Sequence, residues 1–171
     1  KITENYFSIL EDLLIAERVP LFEKKATRRM ISHPKFYFFD VGVYRALRPR
    51  GPLDTPEDID GAALETLVWQ ELKAMNHYGE YGYTFYFWRT AAGHEVDIVL
   101  YGEQGIVAIE VKRSARANAE DCKGLSEFLR AYPKARAYLV YGGDRERWEG
   151  NIRVLPAETF LQQIPEVLQG K

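Results

Sequence analysis

The hydrophobic residues of this chain recur at two different periods, which predict a series of helices and strands. Apolar side chains spaced three or four positions apart indicate helices, whereas alternation or a short apolar run indicates strands. Helices are predicted at residues 3–17, 41–47, 61–76, 121–132 and 157–163. Strands are predicted at residues 36–39, 83–88, 95–101, 106–112, 135–141 and 152–155. Asp40 is a candidate N-cap for the second helix, because its side-chain oxygen can accept a backbone N–H of the first turn.

The order of these elements predicts an α/β fold. After residue 60 the order is α-β-β-β-α-β, followed by a short tail. The strands at 106–112 and 135–141 are joined through a helix, so they should run parallel. A mixed sheet with helices on its faces follows from this order. The segment 48–60 is rich in proline and acidic residues, so we predict a boundary there, with one domain at 1–52 and another at 53–171.

The strands at 95–101 and 106–112 form a predicted hairpin with one apolar and one polar face. Alternate residues of a strand share a face, which places one set towards the core: Val96, Ile98, Leu100, Val107, Ile109 and Val111. The loop at 102–105 sets the register, because a slip by one residue would place apolar side chains against polar ones. The resulting pairs include Leu100–Val107, Ile98–Ile109, Val96–Val111, Asp97–Glu110 and Glu95–Lys112. A shift of two residues would keep the faces but separate Asp97 from Glu110.

The pair of Asp97 and Glu110 carries the candidate chemistry. Like charges that lie opposite each other destabilise a sheet, so either one carboxyl group is protonated or a cation lies between them. Oxygen ligands of this kind suit Mg²⁺ or Mn²⁺, and Lys112 lies on the same face as Glu110. Two carboxylates with an adjacent lysine are suited to metal-assisted phosphodiester hydrolysis. The alternative is a solvated pattern in which Glu95 and Lys112 form a plain surface salt bridge.

The charge balance does not by itself indicate a nucleic-acid-binding protein. Lys and Arg number 23 and Asp and Glu 25, a formal net charge of -2, so an anionic partner would have to be held by a local basic patch. The main basic stretch is 24–35, which we expect either to contact phosphate groups or to dock on another domain. Its first four basic residues are Lys24, Lys25, Arg28 and Arg29.

Cysteine content and hydropathy exclude several other classes of protein. Cys122 is the single cysteine of the 171 residues, so an internal disulfide framework and a thiolate zinc cage are excluded. A lone cysteine fits a reducing compartment, and no apolar run reaches the roughly 18 residues of a membrane-spanning helix. We therefore expect a cytoplasmic protein without a membrane partner. The chain begins at Lys1 rather than Met, which we interpret as a piece of a longer protein.

Several segments spread over the chain resemble known protein families. They are residues 34–42 (PKFYFFDVG), 61–72 (GAALETLVWQEL), 87–90 (FWRT), 93–97 (GHEVD) and 109–114 (IEVKRS). In combination they are similar to the uncharacterised C-terminal domain of a large group of prokaryotic AAA-type ATPases. The hairpin also resembles the PD-(D/E)XK nuclease superfamily. Val96-Asp97 matches the first motif without its leading proline, and Glu110-Val111-Lys112 matches the second.

The resemblance implies a fold and an activity. The expected fold is a PD-(D/E)XK nuclease-like (restriction-endonuclease-like) core, with a mixed central sheet flanked by helices and a small N-terminal winged-helix-like piece. The superfamily often adds a carboxylate from its first core helix, and Glu65 matches that position, although the helical wheel alone also allows Glu71. The implied catalytic set is Asp97, Glu110, Lys112 and Glu65. Of these, the three carboxylates would bind Mg²⁺ or Mn²⁺ in a nuclease that hydrolyses DNA.

The resemblance also implies a partner, because in the similar proteins an AAA-type ATPase domain precedes this region in the same polypeptide. No phosphate-binding loop of the Gly-x-x-x-x-Gly-Lys-Ser/Thr type occurs here, so the ATPase site is not expected in this chain. Apart from the resemblance, Arg89 and Arg113 flank the hairpin and are candidates for contacts with the DNA backbone, as are the basic residues of 24–35. The alternative for each arginine is a solvated surface position. The alternative to a nuclease is a catalytically silent module of the same fold that binds nucleic acid or docks the ATPase domain.

Overall fold

The computed structural model describes residues 2–23, 34–48, 51–52 and 55–170. The helices of this described part are α1 Ile2–Asp12, α2 Val41–Leu47, α3 Pro56–Tyr78, α4 Lys123–Ala131, α5 Ala157–Gln162 and α6 Ile164–Gln169. The strands are β1 Ala16–Val19, β2 Lys35–Phe38, β3 Thr84–Arg89, β4 Glu95–Gly102, β5 Gly105–Lys112, β6 Arg136–Tyr141, β7 Arg147–Glu149 and β8 Ile152–Pro156. None of the described helices combines the length and the apolar composition that a membrane crossing needs.

A mixed sheet is the centre of the fold. Among the described strands, six form this sheet in the order β3-β4-β5-β6-β8-β7, and β1 pairs with β2 in a separate two-stranded antiparallel sheet. Strands β5, β6 and β8 run parallel, which confirms the parallel pairing predicted for 106–112 and 135–141. Helices α3, α5 and α6 pack on one face, and α4 packs on the other. The fold is therefore α/β, with a mixed sheet flanked by helices, as the element order predicts.

Some boundaries differ from the sequence prediction for identifiable reasons. The predicted helix 3–17 is too long, because α1 ends at Asp12 and Ala16–Val19 forms a strand that pairs with β2. Helix α3 begins at Pro56 rather than at residue 61, since a proline is well tolerated in the first turn, where its missing N–H has no helical partner. The Asp40 N-cap is confirmed, because its carboxylate accepts the backbone N–H of Val43 at 3.0 Å. Strand β7 and helix α6 were not predicted.

A β-bulge in β4 sets the direction of the candidate carboxylate on that strand. Tyr86 pairs with Val99 and Trp88 pairs with Val96, so two residues of β4, Asp97 and Ile98, lie opposite one residue of β3. The extra residue reverses the alternation of faces beyond it. Val96 therefore packs with Val99 in the cluster beneath α4, whereas Ile98 packs in the cluster beneath α3. The prediction that Val96 shares a face with Ile98 and Leu100 is wrong for this reason.

The hairpin of β4 and β5 keeps the predicted register over most of its length. Its backbone ladder runs from Gly102–Gly105 to Ile98–Ile109 and includes Leu100–Val107. The ladder stops there, so the predicted direct pairs Val96–Val111, Asp97–Glu110 and Glu95–Lys112 do not form. The two strands therefore separate next to Asp97 and Glu110, directly beyond the pair Ile98–Ile109.

The N-terminal unit, α1 to α2, packs against the sheet through backbone and aromatic contacts. The N–H of Phe22 donates to the carbonyl of Phe87 in β3 at 2.7 Å, and the N–H of Phe87 donates to the carbonyl of Pro20 at 3.1 Å. From β2, the ring of Tyr37 stacks on Trp69 of α3, with centroids 4.5 Å apart. These contacts place β2 over the same end of the sheet as the carboxylates.

Helix α4 approaches β4 closely at its first turn. A β-carbon placed on Gly124 would lie 2.0 Å from the carbonyl oxygen of Glu95, so only glycine fits between the helix and the start of the strand. This contact fixes the backbone of β4 two residues before Asp97.

Candidate active site

Where the backbone pairing of β4 and β5 ends, the carboxylates of Asp97 and Glu110 accept hydrogen bonds from backbone N–H groups of the two strands. The side chain of Asp97 accepts the N–H of Val111 through Oδ2 at 3.0 Å, and the side chain of Glu110 accepts the N–H of Asp97 through Oε2 at 3.3 Å. Both residues are buried, with 8% and 7% of their surfaces exposed. Buried backbone N–H groups need acceptors, so these side chains hold the separated strands together.

Lys112 lies beside Glu110 at the end of β5. Its ammonium group donates to Oε1 of Glu110 at 2.7 Å, and its side chain stays 38% exposed. Burial acts to lower the pKa of Lys112, but the charge of Glu110, the hydrogen bond to Glu110 and the charge of Asp97 together raise it above its usual value. Lys112 is therefore a cation that touches the carboxylate pair on one side and solvent on the other.

Glu65 reaches the same end of the sheet from α3. Val68, Trp69 and Leu72 follow it at helical spacing and are buried in the core beneath the helix, so Glu65 lies on the inward face. Its carboxylate accepts a short hydrogen bond from the hydroxyl of Tyr37. Burial and the charge of Asp97 raise the pKa of Glu65. The structure thus brings together the four residues of the predicted catalytic set.

The ammonium group of Lys35 lies among three carboxylates of this site. Its Nζ atom is 2.7 Å from Oδ1 of Asp97, 3.0 Å from Oε1 of Glu65 and 3.1 Å from Oε1 of Glu95. Burial opposes its charge, but the carboxylates of Asp97 and Glu65 raise the pKa of Lys35 well above its usual value. Lys35 therefore carries its positive charge inside the site, in contact with three carboxylates.

The nearby positive charges compensate the negative charge of Glu110 only in part. Burial and the neighbouring charge of Asp97 raise the pKa of Glu110 to about 8, although Lys112 and Lys35 act in the opposite direction. Glu95 behaves differently, because Lys35 and Arg89 overcome its burial and lower its pKa. A further positive charge close to Asp97 and Glu110 would relieve this repulsion.

Of the predicted DNA-contacting residues, the two that lie in the described part of the chain, Arg89 and Arg113, each pair with a carboxylate. Arg89 forms an ion pair with Glu95 at the rim of the site. Arg113 contacts Asp60 of α3, with 3.0 Å between Nη2 and Oδ2. Lys24, Lys25, Arg28 and Arg29 lie outside the described residues. Lys35, the last residue of the basic stretch, points into the carboxylate cluster.

The donor chemistry of the site fits a hard divalent cation, but the present arrangement is not closed around one. Asp97, Glu110 and Glu65 offer only carboxylate oxygens, and an ammonium ion lies between two of them, which shows that the cluster attracts a cation. Within the described residues, however, no three His, Cys, Asp or Glu side chains are arranged so that they could hold one metal ion. The carboxylates would have to move towards one another, away from Lys35, to do so.

Sequence reasoning missed three residues of this site: Lys35, Tyr37 and Glu95. Lys35 and Tyr37 are two apart on a strand and therefore share a face, which is the face that carries the most buried residue of β2. A lysine on that face is a signal for a buried ion pair, which the basic residues before it obscured. Glu95 was assigned to a pair with Lys112, and it instead contacts Lys35 and Arg89.

The fold defines this protein as an α/β domain whose mixed sheet carries a buried cluster of carboxylates and lysines at the point where two strands separate. The domain of unknown function DUF4143 matches residues 60–160, so the chain belongs to that family. This domain is common in proteins associated with AAA ATPases. Residues 1–54 match a second domain of unknown function, DUF8612. No curated protein and no solved structure matches the chain.

Proposed function

We propose that this chain carries a metal-dependent nuclease domain that hydrolyses DNA phosphodiesters, within a protein that also contains an AAA-type ATPase domain. The proposal depends on one observation: Asp97, Glu110, Glu65 and Lys112 converge from two strands and a helix on one end of the sheet. The order of the sheet and the separated hairpin also support a nuclease-like core of the PD-(D/E)XK type. The cytoplasm is the proposed location.

The side chains have distinct roles in this proposal. Asp97, Glu110 and Glu65 would hold Mg²⁺ or Mn²⁺, which supplies Lewis-acid activation of the phosphate and of the attacking water. Lys112 is held by Glu110 at 2.7 Å and remains open to solvent, so it can orient a water molecule or stabilise negative charge that develops on the phosphate. Asp97 and Glu110 also accept backbone N–H groups, which holds both carboxylates at this end of the sheet before any substrate binds, although they would have to approach one another to share a metal ion.

A second function is favoured by the position of Lys35. Its ammonium group already neutralises part of the acidic cluster, with contacts of 3.1 Å or less to three carboxylates. A site compensated in this way is also compatible with a catalytically silent module that keeps the fold and binds nucleic acid or docks the ATPase domain. Fold alone does not decide between activity and binding.

The test is cleavage of supercoiled plasmid and of labelled oligonucleotides by the 171-residue chain, with Mg²⁺, with Mn²⁺ and with EDTA. We expect cleavage with the divalent ions only, and a loss of about 100-fold or more in rate for Asp97→Ala and Lys112→Ala. Lys134→Ala is the matched control, because Lys134 is an exposed lysine distant in sequence from the hairpin. If the wild type and the two site variants cleave equally, or none cleaves, the nuclease proposal fails and the silent module remains.

A further inference from the structure

The contacts of Lys35 resemble those of a bound cation rather than those of a surface lysine. An ammonium group has three N–H donors and no acceptor, and here it meets one carboxylate for each donor. The distances are 2.7 Å to Asp97, 3.0 Å to Glu65 and 3.1 Å to Glu95. Its side chain is only 21% exposed. The hydrogen-bonding capacity of the ammonium group is therefore satisfied by the acidic cluster alone.

Lys35 belongs to a different unit from the carboxylates that it contacts. It lies in β2, whereas Glu65 is on α3 and Asp97 is on β4 of the sheet. Tyr37, on the same strand, donates to Glu65 and stacks on Trp69. The N-terminal unit thus inserts a positive charge into the cluster and anchors it with an aromatic contact.

A metal ion and this ammonium group need the same oxygen atoms. Oδ2 of Asp97 accepts the N–H of Val111, and Oδ1 is held by Lys35. Oε1 of Glu65 is shared between Lys35 and Tyr37. A divalent ion in an all-oxygen site needs several ligands at short distance, so an ion that binds Oδ1 of Asp97 and Oε1 of Glu65 would have to take the place of the Lys35 ammonium group.

We propose that Lys35 is a tethered competitor of the divalent ion: its ammonium group occupies the carboxylate cluster in the metal-free protein, and metal binding requires it to leave. The inference rests on the proposed function for the identity of the ion and adds its regulation. Because Lys35 belongs to the N-terminal unit, whatever moves β2 away from α3 raises the affinity of the site for metal. Conversely, bound metal weakens the attachment of β2 to α3, since coupling between two ligands of one site is reciprocal.

The first experiment compares Mn²⁺ binding to the 171-residue wild type and to Lys35→Met, by isothermal titration calorimetry and by the electron paramagnetic resonance signal of free Mn²⁺. Methionine keeps most of the aliphatic length and removes the charge. We expect Lys35→Met to bind Mn²⁺ about tenfold or more tightly than the wild type. Lys35→Arg, which keeps the charge, and Lys73→Met, which removes a lysine paired with Glu17 outside the cluster, should bind like the wild type.

The outcomes separate this inference from the nuclease proposal. Tighter Mn²⁺ binding by Lys35→Met without DNA cleavage by any variant supports the competitor role and rejects the nuclease. Unchanged or weaker binding, or no measurable binding by either protein, overturns the competitor role. Loss of cleavage in Lys35→Met at unchanged Mn²⁺ affinity also overturns it, because Lys35 would then act on the substrate.

A second measurement needs no variant and so does not depend on the folding of Lys35→Met. The wild-type chain is treated briefly with an amine-acylating reagent with and without Mg²⁺, and the modified lysines are counted by mass spectrometry. We expect Mg²⁺ to increase the labelling rate of Lys35 several-fold while that of Lys134 stays constant. Equal labelling of Lys35 at a Mg²⁺ concentration that saturates the protein would overturn the inference.

Discussion

The raised pKa of Glu110 predicts how the stability of the metal-free protein changes with pH. Its carboxyl group has a pKa of about 8 in the folded chain, against an ordinary value of 4.5, because it is buried near Asp97. Between these two pH values the folded protein holds a proton that the unfolded chain has lost. The free energy of unfolding therefore falls as the pH rises through this window and levels off above about pH 8.

The magnitude follows from the width of the window. Each unit of pKa difference corresponds to about 1.4 kcal/mol, so Glu110 contributes a decrease on the order of 4 kcal/mol between about pH 5 and about pH 8. Glu110→Gln removes the titrating group and keeps a similar shape, so it should remove most of this decrease. The quantity to compare is the difference in the free energy of unfolding between wild type and Glu110→Gln at each pH, because this difference isolates the contribution of Glu110.

The assay is urea unfolding in EDTA, followed by tryptophan fluorescence at several pH values from about 5 to about 8. We expect Glu110→Gln to gain stability relative to the wild type as the pH rises. Glu103→Gln is the control, because Glu103 lies in the exposed turn of the same hairpin and should show no such trend. A difference between wild type and Glu110→Gln that stays constant within about 0.5 kcal/mol across this range would refute the reasoning.

Three further predictions concern stability and the site. Gly124→Ala should lower the melting temperature, because the added β-carbon would lie 2.0 Å from the carbonyl oxygen of Glu95. The matched control is Gly61→Ala on α3, where the added β-carbon meets no other atom. Gly61→Ala should raise the free energy of unfolding by about 0.5–1 kcal/mol, because alanine favours a helix more than glycine does. A higher melting temperature for Gly124→Ala would contradict the close approach. Tyr37→Phe should cost about 1–2 kcal/mol in urea unfolding, since it removes the bond to Glu65 and keeps the stacking on Trp69; an unchanged free energy would show that this bond contributes nothing. Lys112→Met should slow DNA cleavage in Mg²⁺ far more than it weakens Mn²⁺ binding measured by calorimetry. The reason is that Lys112 contacts only Glu110 among the proposed metal ligands. Equal losses in cleavage rate and in Mn²⁺ affinity would show that Lys112 acts in metal binding.

Local patterns predicted the parts of this fold in which neighbours along the chain decide the structure. The Asp40 cap needs only the residues that follow it, and the hairpin register up to Ile98–Ile109 needs only the alternation of two adjacent strands. Glu65 could be placed on the inward face of its helix, although its partner residues could not be named. Alternation cannot reveal an extra residue, so the bulge at Asp97 and the reversed face of Val96 were not predictable from it.

Long-range contacts account for the rest. Ala16–Val19 forms a strand because β2 pairs with it, and nothing within the segment itself contradicts a continued helix. The contact of Lys35 with Asp97 spans 62 positions of the chain, a separation that no periodicity reports. The charge of Lys35 and its basic neighbours predicted a surface for phosphate contact or for docking, and only the packing of β2 over α3 shows that Lys35 points into the acidic cluster.

The path of residues 20–22 along β3 has a consequence for the solubility of shorter pieces of this chain. Strand β3 is the outer strand on its side of the sheet, and it carries a run of aromatic residues, Phe85-Tyr86-Phe87-Trp88. Leu21 forms a parallel bridge with Phe87, and the flanking backbone hydrogen bonds cover part of the edge of this strand. An uncovered edge with such side chains invites pairing with another chain. A fragment that starts at residue 55 should therefore self-associate, which a light-scattering measurement against the 171-residue chain would detect.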